Sequence, residues 1–344
     1  MSSEITIITT KTEWNEALSK MSNIDFYFTY DYHNLSVNQP NSFFLFSFKN
    51  QNYQIVLPLI KRPIFDTEYF DATSVYGYAG PLASHIELPG SIVDEFQIEL
   101  KQFCIKNNII SLFSRLHPFI KNDFYLNKLG DIIELSQTVF IDLTSSQEEQ
   151  YKQFRKGVKS DIKALQREGY SVVEDTELTY LHEFISLYNE NMDRVQAASN
   201  YYFSQNYYKD FFQSKEIGAK LFIVKDGNDI AGGSIIVFAG NIIQYHLSGT
   251  KETYLKNSPV RLLLDNIRLN YTNSKYQIFH LGGGVGSNED SLFNFKAGFS
   301  KERLDFKIWK YIVNEKAYSL MLDKFGFVEN SFYFPLYRSI EKPL

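Results

Sequence analysis

The chain has 344 residues, with 35 Lys and Arg against 40 Asp and Glu, a net charge of −5, and 44% hydrophobic and 16% aromatic content. Such a chain fills about two ordinary domains and buries a large core, which excludes disorder. Its acidic balance excludes a dedicated nucleic-acid coat and leaves room only for a local basic patch. The single cysteine, Cys104, excludes an internal disulfide and favours a reducing compartment. There is no apolar run of about 18 residues, and MSSEITIITTKTEW lacks the apolar core of a signal peptide. A cytoplasmic protein with no transmembrane segment is expected.

In chain order, Lys11–Met21 has helical spacing through Trp14, Ala17, Leu18 and Met21, and Phe26–Leu35 is an aromatic patch that reads as core. Phe43–Phe48 and Tyr53–Ile60 are strand-like runs joined by the polar turn Lys49–Asn52, hence a hairpin. Val75–Leu82 reads as a third extended piece, broken by Gly77, Gly80 and Pro81. Ser91–Lys106 follows as an amphipathic helix with Ile92, Phe96, Leu100 and Phe103 on one side, and Ile109–Leu116 as a further strand.

A second pass of the same order begins after Thr144. Leu221–Lys225 and Ile230–Phe238 are strands about a polar turn, and Gly240–Asn241 leads into a third strand, Ile242–Gly249. Ser258 and Pro259, of N-cap and N1 type, open a helix to about Tyr271, and Gln277–Leu281 is the strand after it. The strands of the first hairpin are offset from their counterparts by about 176 residues, an internal repeat too long for a solenoid. The expected fold class is α/β with a mixed sheet, in two domains, 1–145 and 146–344. Glu315–Phe325 is helical in pattern and Ser331–Tyr337 extended, and 315–344 could pack back on the first domain.

Between the two passes, Tyr151, Phe154, Val158, Ile162 and Leu165 make an apolar stripe at helical spacing. Lys152, Lys156, Lys159 and Lys163 make a basic stripe beside it, and Arg155 and Arg167 add to the charge. This is either a solvated helix face or a track for phosphates of a nucleotide-linked acceptor or a tRNA.

The most informative stretch is His280–Ser300, HLGGGVGSNEDSLFNFKAGFS. A short strand runs into Gly282, Gly283, Gly284 and Gly286, then into a helix for which Ser287 or Asn288 is a candidate N-cap and Gly298 a candidate stop. Glycines allow close approach of a ligand, and a helix N-terminus attracts negative charge, so a phosphate, carboxylate or polarised carbonyl could sit here; a plain tight turn is the alternative. Leu292, Phe295 and Phe299 should face the core and leave Lys296 on the flank, either as a cation at a helix C-terminus or as a fixed charge beside a reacting carbonyl.

Other chemistry is sparse. The six histidines form no H-E-x-x-H pair and one cysteine gives no thiolate cage, so no metal is expected; no G-x-S-x-G elbow nominates a nucleophilic serine. Along Ile242–Gly249, simple alternation puts Ile243, Tyr245 and Leu247 on one face and Gln244, His246 and Ser248 on the other. Those three polar residues are either satisfied internally or line a cleft.

HLGGG, a polar loop and SLFNFKAGF together resemble the closing motif of the FemABX family and its relatives among GNAT-like (Gcn5-related) acyltransferases. SVYGYAGPLA (Ser74–Ala83), RKGVKSDIKALQREGY (Arg155–Tyr170), NMDRVQAASNYYFS (Asn191–Ser204) and YHLSGT (Tyr245–Thr250) resemble the family's other signposts, in the family's order. The resemblance implies tandem GNAT-like domains and transfer of an acyl or aminoacyl group to an amine. It carries Lys296 onto the lysine of the FxFK-like motif, with Phe295 before it and Gly282, Gly283 and Gly284 ahead, and it implies that strand Ile242–Gly249 meets the donor through its backbone. His246 is then a candidate proton acceptor, Gln244 and Ser248 line the cleft, and Tyr78, Pro81, Arg115, Arg194 and Tyr201 carry over as substrate-side residues. The chain departs from the pattern in two places. Lys251–Val260, KETYLKNSPV, has none of the glycines of a CoA pyrophosphate loop, and no paired heptad segment forms a coiled-coil arm.

The expected function is N-acylation of a small-molecule or nucleotide-linked amine, an amino sugar or cell-envelope precursor of surface-polysaccharide synthesis. Acyl-CoA or aminoacyl-tRNA would be the co-substrate, with no tightly bound cofactor and no DNA partner. The alternatives are tRNA-dependent aminoacyl transfer to a peptidoglycan precursor and a non-catalytic GNAT-fold binding protein.

Overall fold

The computed structural model describes residues 3–37, 42–329, 331 and 333–340. The chain forms two compact units, one built on Met1–Leu135 and Asp305–Lys342, the other on Ser136–Leu304.

The first unit begins with β1 (Glu4–Ile8), α1 (Lys11–Leu18) and α2 (Tyr30–Leu35), then the expected hairpin of β2 (Phe43–Asn50) and β3 (Tyr53–Pro63). Gln51 takes φ 54° at its turn. The run FFLFSF is buried on both faces because successive side chains serve different layers. Phe44, Phe46 and Phe48 pack with Phe96 and Leu100 of α3 (Gly90–Lys106), and Phe43 and Leu45 with Trp14 and Leu18 of α1. Between hairpin and helix lie β4 (Phe70–Thr73) and the two-residue β5 (Leu82–Ala83), and β6 (Ile109–Arg115) follows α3. The segment expected as the strand Val75–Leu82 is a loop instead. Gly77 and Gly80 have φ 114° and 107° there, and the Tyr27 ring stands where a Cβ on Gly77 would be, so the backbone cannot stay extended.

β7 (Asp131–Asp142) carries the chain into the second unit. There α4 (Gln147–Gln153), closed by a Ser146–Glu149 capping box, and α5 (Lys156–Arg167) precede β8 (Ser171–Glu174), α6 (Leu181–Arg194) and α7 (Gln205–Gln213). The apolar stripe from Tyr151 to Leu165 therefore runs through two helices. The break comes at Phe154 and Arg155, both extended, where the Arg155 amide donates to the Gly298 carbonyl at 2.8 Å. Three antiparallel strands follow, β9 (Ala219–Asp226), β10 (Asp229–Ala239) and β11 (Ile242–Thr250), then α8 (Val260–Tyr271), β12 (Ile278–Gly282) and α9 (Ser291–Lys296). Strand order in this unit is β7-β12-β11-β10-β9-β8. Phe154, Val158 and Ile162, Leu263 and Ile267, and Phe293 and Phe299 bring α4, α5, α8 and α9 onto one apolar cluster with Ile236, Ile243, Tyr245 and Phe279 of the sheet.

β13 (Arg303–Ile312) and α10 (Glu315–Phe325) complete the chain, and the first unit's strands run β1-β2-β3-β4-β6-β13. Residues 305–342 thus belong with the first unit. Beyond α10, Leu336–Arg338 is a 3-10 turn rather than extended; Phe332, inside that expected segment, lies outside the described residues.

The repeat seen in the sequence is a repeat of topology. In each unit three antiparallel strands lead through a helix into a strand parallel to the third, β4 with β6 and β11 with β12. A parallel return needs such a crossover, which is why an amphipathic helix follows each set of three strands.

Candidate active site

Strands β11 and β12 pair only over Ile242↔Ile278, Ile243↔Phe279 and Gln244↔His280, whereas β10 stays paired with β11 up to Thr250. From Tyr245 onward no strand among the described residues pairs with the β12-facing edge of β11. A bulge lies at the same point. Ile236 pairs with Tyr245 but Ile235 with Leu247, so His246 is the extra residue. The simple alternation expected for Ile242–Gly249 is thereby broken. Ser248 comes to the side of Tyr245 and accepts its hydroxyl hydrogen bond at 2.5 Å, and His246 stacks on Phe211 of α7, ring centroids 5.2 Å apart.

At the end of β12, Gly282 takes φ 81° and the chain enters the glycine loop. Lys296 closes over this loop from the last turn of α9. It is 8% exposed; its Nζ donates to the Gly283 carbonyl at 2.7 Å and lies 5.9 Å from the Tyr245 ring centroid. Leu292 and Phe295 were expected inward with Lys296 on the flank; in the structure Phe293 and Lys296 are the buried pair of α9 and Phe295 is half-buried. Burial lowers the Lys296 pKa to about 8, against the opposing pull of Asp290.

Asp290 caps α9 and is the residue that the sequence reading missed. Its Oδ1 accepts from the Phe293 amide at 2.8 Å and its Oδ2 from the Val285 amide at 3.1 Å. The helix therefore starts later than Asn288, which is extended and caps nothing in α9; the side chain of Ser287, the other candidate, lies outside the described residues. An aspartate three residues before Phe293 is itself an N-cap signal, and it competed with two similar residues just upstream. Because Asp290 takes the Phe293 and Val285 amides, the anion site expected at this helix start is filled by the protein's own carboxylate.

The other candidates separate. Gln244 is buried, with its Oε1 2.8 Å from His280 Nδ1, the internally satisfied outcome. His246 and Tyr245 point to opposite sides of β11, His246 toward α7 and Tyr245 into the cluster with α9. Desolvation pulls the His246 pKa down to about 4. Phe295 packs edge-on to Phe299 and lies under the Arg261 guanidinium, which is ion-paired to Asp161. Arg194 is exposed and hydrogen-bonds to Asn191 of its own helix. Tyr202 donates its hydroxyl to Asp193 at 2.7 Å; Tyr201 lies in the 3-10 turn Ser199–Tyr201. Tyr78, Pro81 and Arg115 belong to the first unit. There Pro81 is buried, Tyr78 packs on Tyr27 and Phe306, and Arg115 lies over the rings of Tyr76 and Phe113.

Residues 152–296, from α4 to the buried lysine, match the family model described as an acetyltransferase (GNAT) domain. Over these residues the chain is similar to a GNAT acetyltransferase domain. The whole chain is similar in structure to FemX, at TM-score 0.69 and 12% identity over 93% of this chain and 99% of that one. It is also similar to the C-terminal domain (DUF2156) of a putative lysylphosphatidylglycerol synthetase from Agrobacterium fabrum, at TM-score 0.57 and 12% identity over 91% and 96% of the two chains. A third likeness is to L-PGS from Bacillus licheniformis, at TM-score 0.57 and 12% identity over 90% and 93%. No curated protein matches in sequence. At such identities the structural likeness is one of fold, a mixed α/β fold like that of FemX.

Ahead of α8, the segment Lys251–Ser258 has no glycine and contains the 3-10 turn Glu252–Tyr254, and Ser258 takes φ 51°. Pro259, not Ser258, caps the helix. On α5, Lys156, Lys163 and Arg167 are exposed and Lys159 leans on the Tyr151 ring. Arg155 sits at the start of α5, its guanidinium donating to the Asn294 carbonyl at 3.3 Å, and it shares its field with the half-buried Arg303. Among the described residues no helix is long and apolar enough to cross a membrane.

Proposed function

We propose that the protein is an N-acyltransferase that moves an acyl or aminoacyl group from an activated donor to the amine of an amino sugar or cell-envelope precursor, in the cytoplasm. The observation that carries this reading is the buried Lys296 ammonium, held on the Gly283 carbonyl next to Tyr245, the first residue of β11 beyond the end of its pairing with β12. A backbone edge left open by a neighbouring strand can hydrogen-bond an extended ligand, as a further strand would. A cation fixed in a dry place stabilises an oxyanion far better than one in water.

In the reaction a neutral amine nitrogen attacks the donor carbonyl carbon. The C–N bond forms and the carbonyl π pair moves to oxygen. The tetrahedral oxyanion then collapses, expelling a thiolate from a thioester or an alkoxide from an ester, and the nitrogen gives up a proton. Lys296 counters the negative charge as it develops and can return a proton to the leaving group. With a pKa of about 8 it is mostly ammonium at neutral pH, yet releases a proton far more readily than a surface lysine. His246 is neutral above about pH 4 and is the candidate acceptor of the nitrogen's proton for an amine that enters on the α7 side of β11. Tyr78, Pro81, Arg115, Arg194, Tyr201 and Ser248 remain substrate-side candidates of this reading.

For the donor, acyl-CoA is the usual co-substrate of the domain type. A second reading, aminoacyl-tRNA as donor for a peptidoglycan precursor, is favoured by one observation, the basic face of α5 in a chain of net charge −5. Melting temperatures measured with acyl-CoAs, UDP- and dTDP-linked amino sugars and aminoacyl-tRNA test the choice, with amide product followed by mass spectrometry. A ligand that binds only the folded state raises the melting temperature, by an amount set by its concentration relative to its Kd. Stabilisation and product with one donor support transfer; no response to any of them moves the protein to the binding-module reading.

A further inference from the structure

We propose that Asp290 is a positioning residue of the Lys296 site, its carboxylate fixing the glycine loop that holds the lysine and supplying the lysine's counter-charge. The inference rests on the reading of Lys296 given above. Three observations bear on it. First, the two oxygens of one side chain are divided between helix and loop: Oδ1 takes the Phe293 amide of α9 and Oδ2 the Val285 amide, two residues past the carbonyl that receives Lys296. Second, the loop closes on this carboxylate so tightly that a Cβ at Gly284 would strike Asp290 Oδ1 and the Asn288 carbonyl. Third, Asp290 is the charged group whose field favours the ammonium of Lys296.

Asp290 and Tyr245 are titratable groups that face Lys296. Asp290 faces it from the cap of α9 and Tyr245 from β11, the latter with its hydroxyl tied to Ser248 and its own pKa raised to about 12 by burial, so it stays neutral. The loop contributes the uncharged Gly283 carbonyl, and Gly283 itself lies against the Gln137 carbonyl of β7. Burial alone would drive Lys296 toward the amine; Asp290 works against that, and α9, which Asp290 caps and Lys296 ends, keeps them in register.

The test reads Lys296 directly. Wild type and Asp290→Asn are acetylated with acetic anhydride from about pH 6 to about pH 10, and the rate at Lys296 is followed by peptide mass spectrometry, with surface lysines as internal standards. Wild type should titrate at about 8. The variant should titrate lower by at least about half a unit, roughly a threefold change in the ratio of ammonium to amine. Asp290→Ser, which keeps a helix cap but neither the charge nor the reach to Val285, should shift the same way and serves if the first variant folds poorly. A purely structural Asp290 would lower the melting temperature and leave the titration in place, or raise it as the loop opened to water; either result overturns the proposal. If Lys296→Ala leaves transfer unchanged while the titration shift appears, the positioning stands and the proposed reaction falls. A lost reaction without the shift has the opposite meaning.

Discussion

At the scale of single residues, Lys296 is a lysine that the fold buries at a cost. Taking an ammonium out of water is unfavourable, and the folded-state pKa of about 8 against an ordinary 10.5 records that cost. The sign follows from linkage. Between about pH 8 and the unfolded-state pKa the unfolded chain binds the proton that the folded chain has lost, so stability from this group rises with pH across that window and is lowest below it. Lys296→Met, which keeps the volume without the charge, should therefore be at least as stable as wild type at pH 7. The difference between the two in urea unfolding should shift toward wild type by about 3 kcal/mol as pH climbs through the window. A difference that does not change with pH would mean that Lys296 titrates as an exposed lysine. The transfer rate should fall as pH rises through about 8, since the ammonium is the active form; a rate that stays level well past that pH would assign the work to another group.

At the scale of elements, the candidate site is made by one strand that stops pairing and one short helix that starts late. Gly284→Ala puts a Cβ into the Asn288 carbonyl and the Asp290 carboxylate, and either the loop or the cap must give way. A loss of about 2 kcal/mol in chemical denaturation, of the size expected for a lost cap, is the predicted outcome, with a further loss of transfer. Gly249 is the comparable point on β11, where a Cβ would meet the α6 backbone at Leu187 and Tyr188. The basic face of α5 gives a prediction at the same scale. Reversing Lys156, Lys163 and Arg167 to Glu should weaken binding of a tRNA donor by at least tenfold and flatten its salt dependence, while leaving an acyl-CoA reaction nearly unchanged. Equal effects on both donors would remove the helix from donor choice.

Across the whole molecule, the legible parts of the sequence were those with local periodicity. The β2–β3 hairpin, α3, α8 and α10 lie within a residue or a few of their expected bounds, because each carries a run of apolar residues at its own period between turn residues. The repeat of three strands, helix and parallel strand in both units was legible for the same reason. Short strands with polar content, β4 (FDAT) and β8 (SVVE), were not, since only their neighbours in the sheet define them. β13, RLDFKIWKYI, begins with an apolar and charged alternation and went unassigned although that signal was present. In the candidate site, Lys296 was nominated by its motif. Asp290, the bulge at His246 and the burial of Lys296 were not found, because a bulge is set by the pairing of β10 with β11 and a pKa by what closes over the side chain.

The most direct measurement compares single-turnover amide formation by wild type and Lys296→Ala, with saturating donor and acceptor and with folding verified by circular dichroism. A buried cation aimed at developing negative charge should be worth more than about 1.4 kcal/mol, so the variant should be at least about tenfold slower at an unchanged fold. A correctly folded Lys296→Ala that forms amide as fast as wild type would contradict the account.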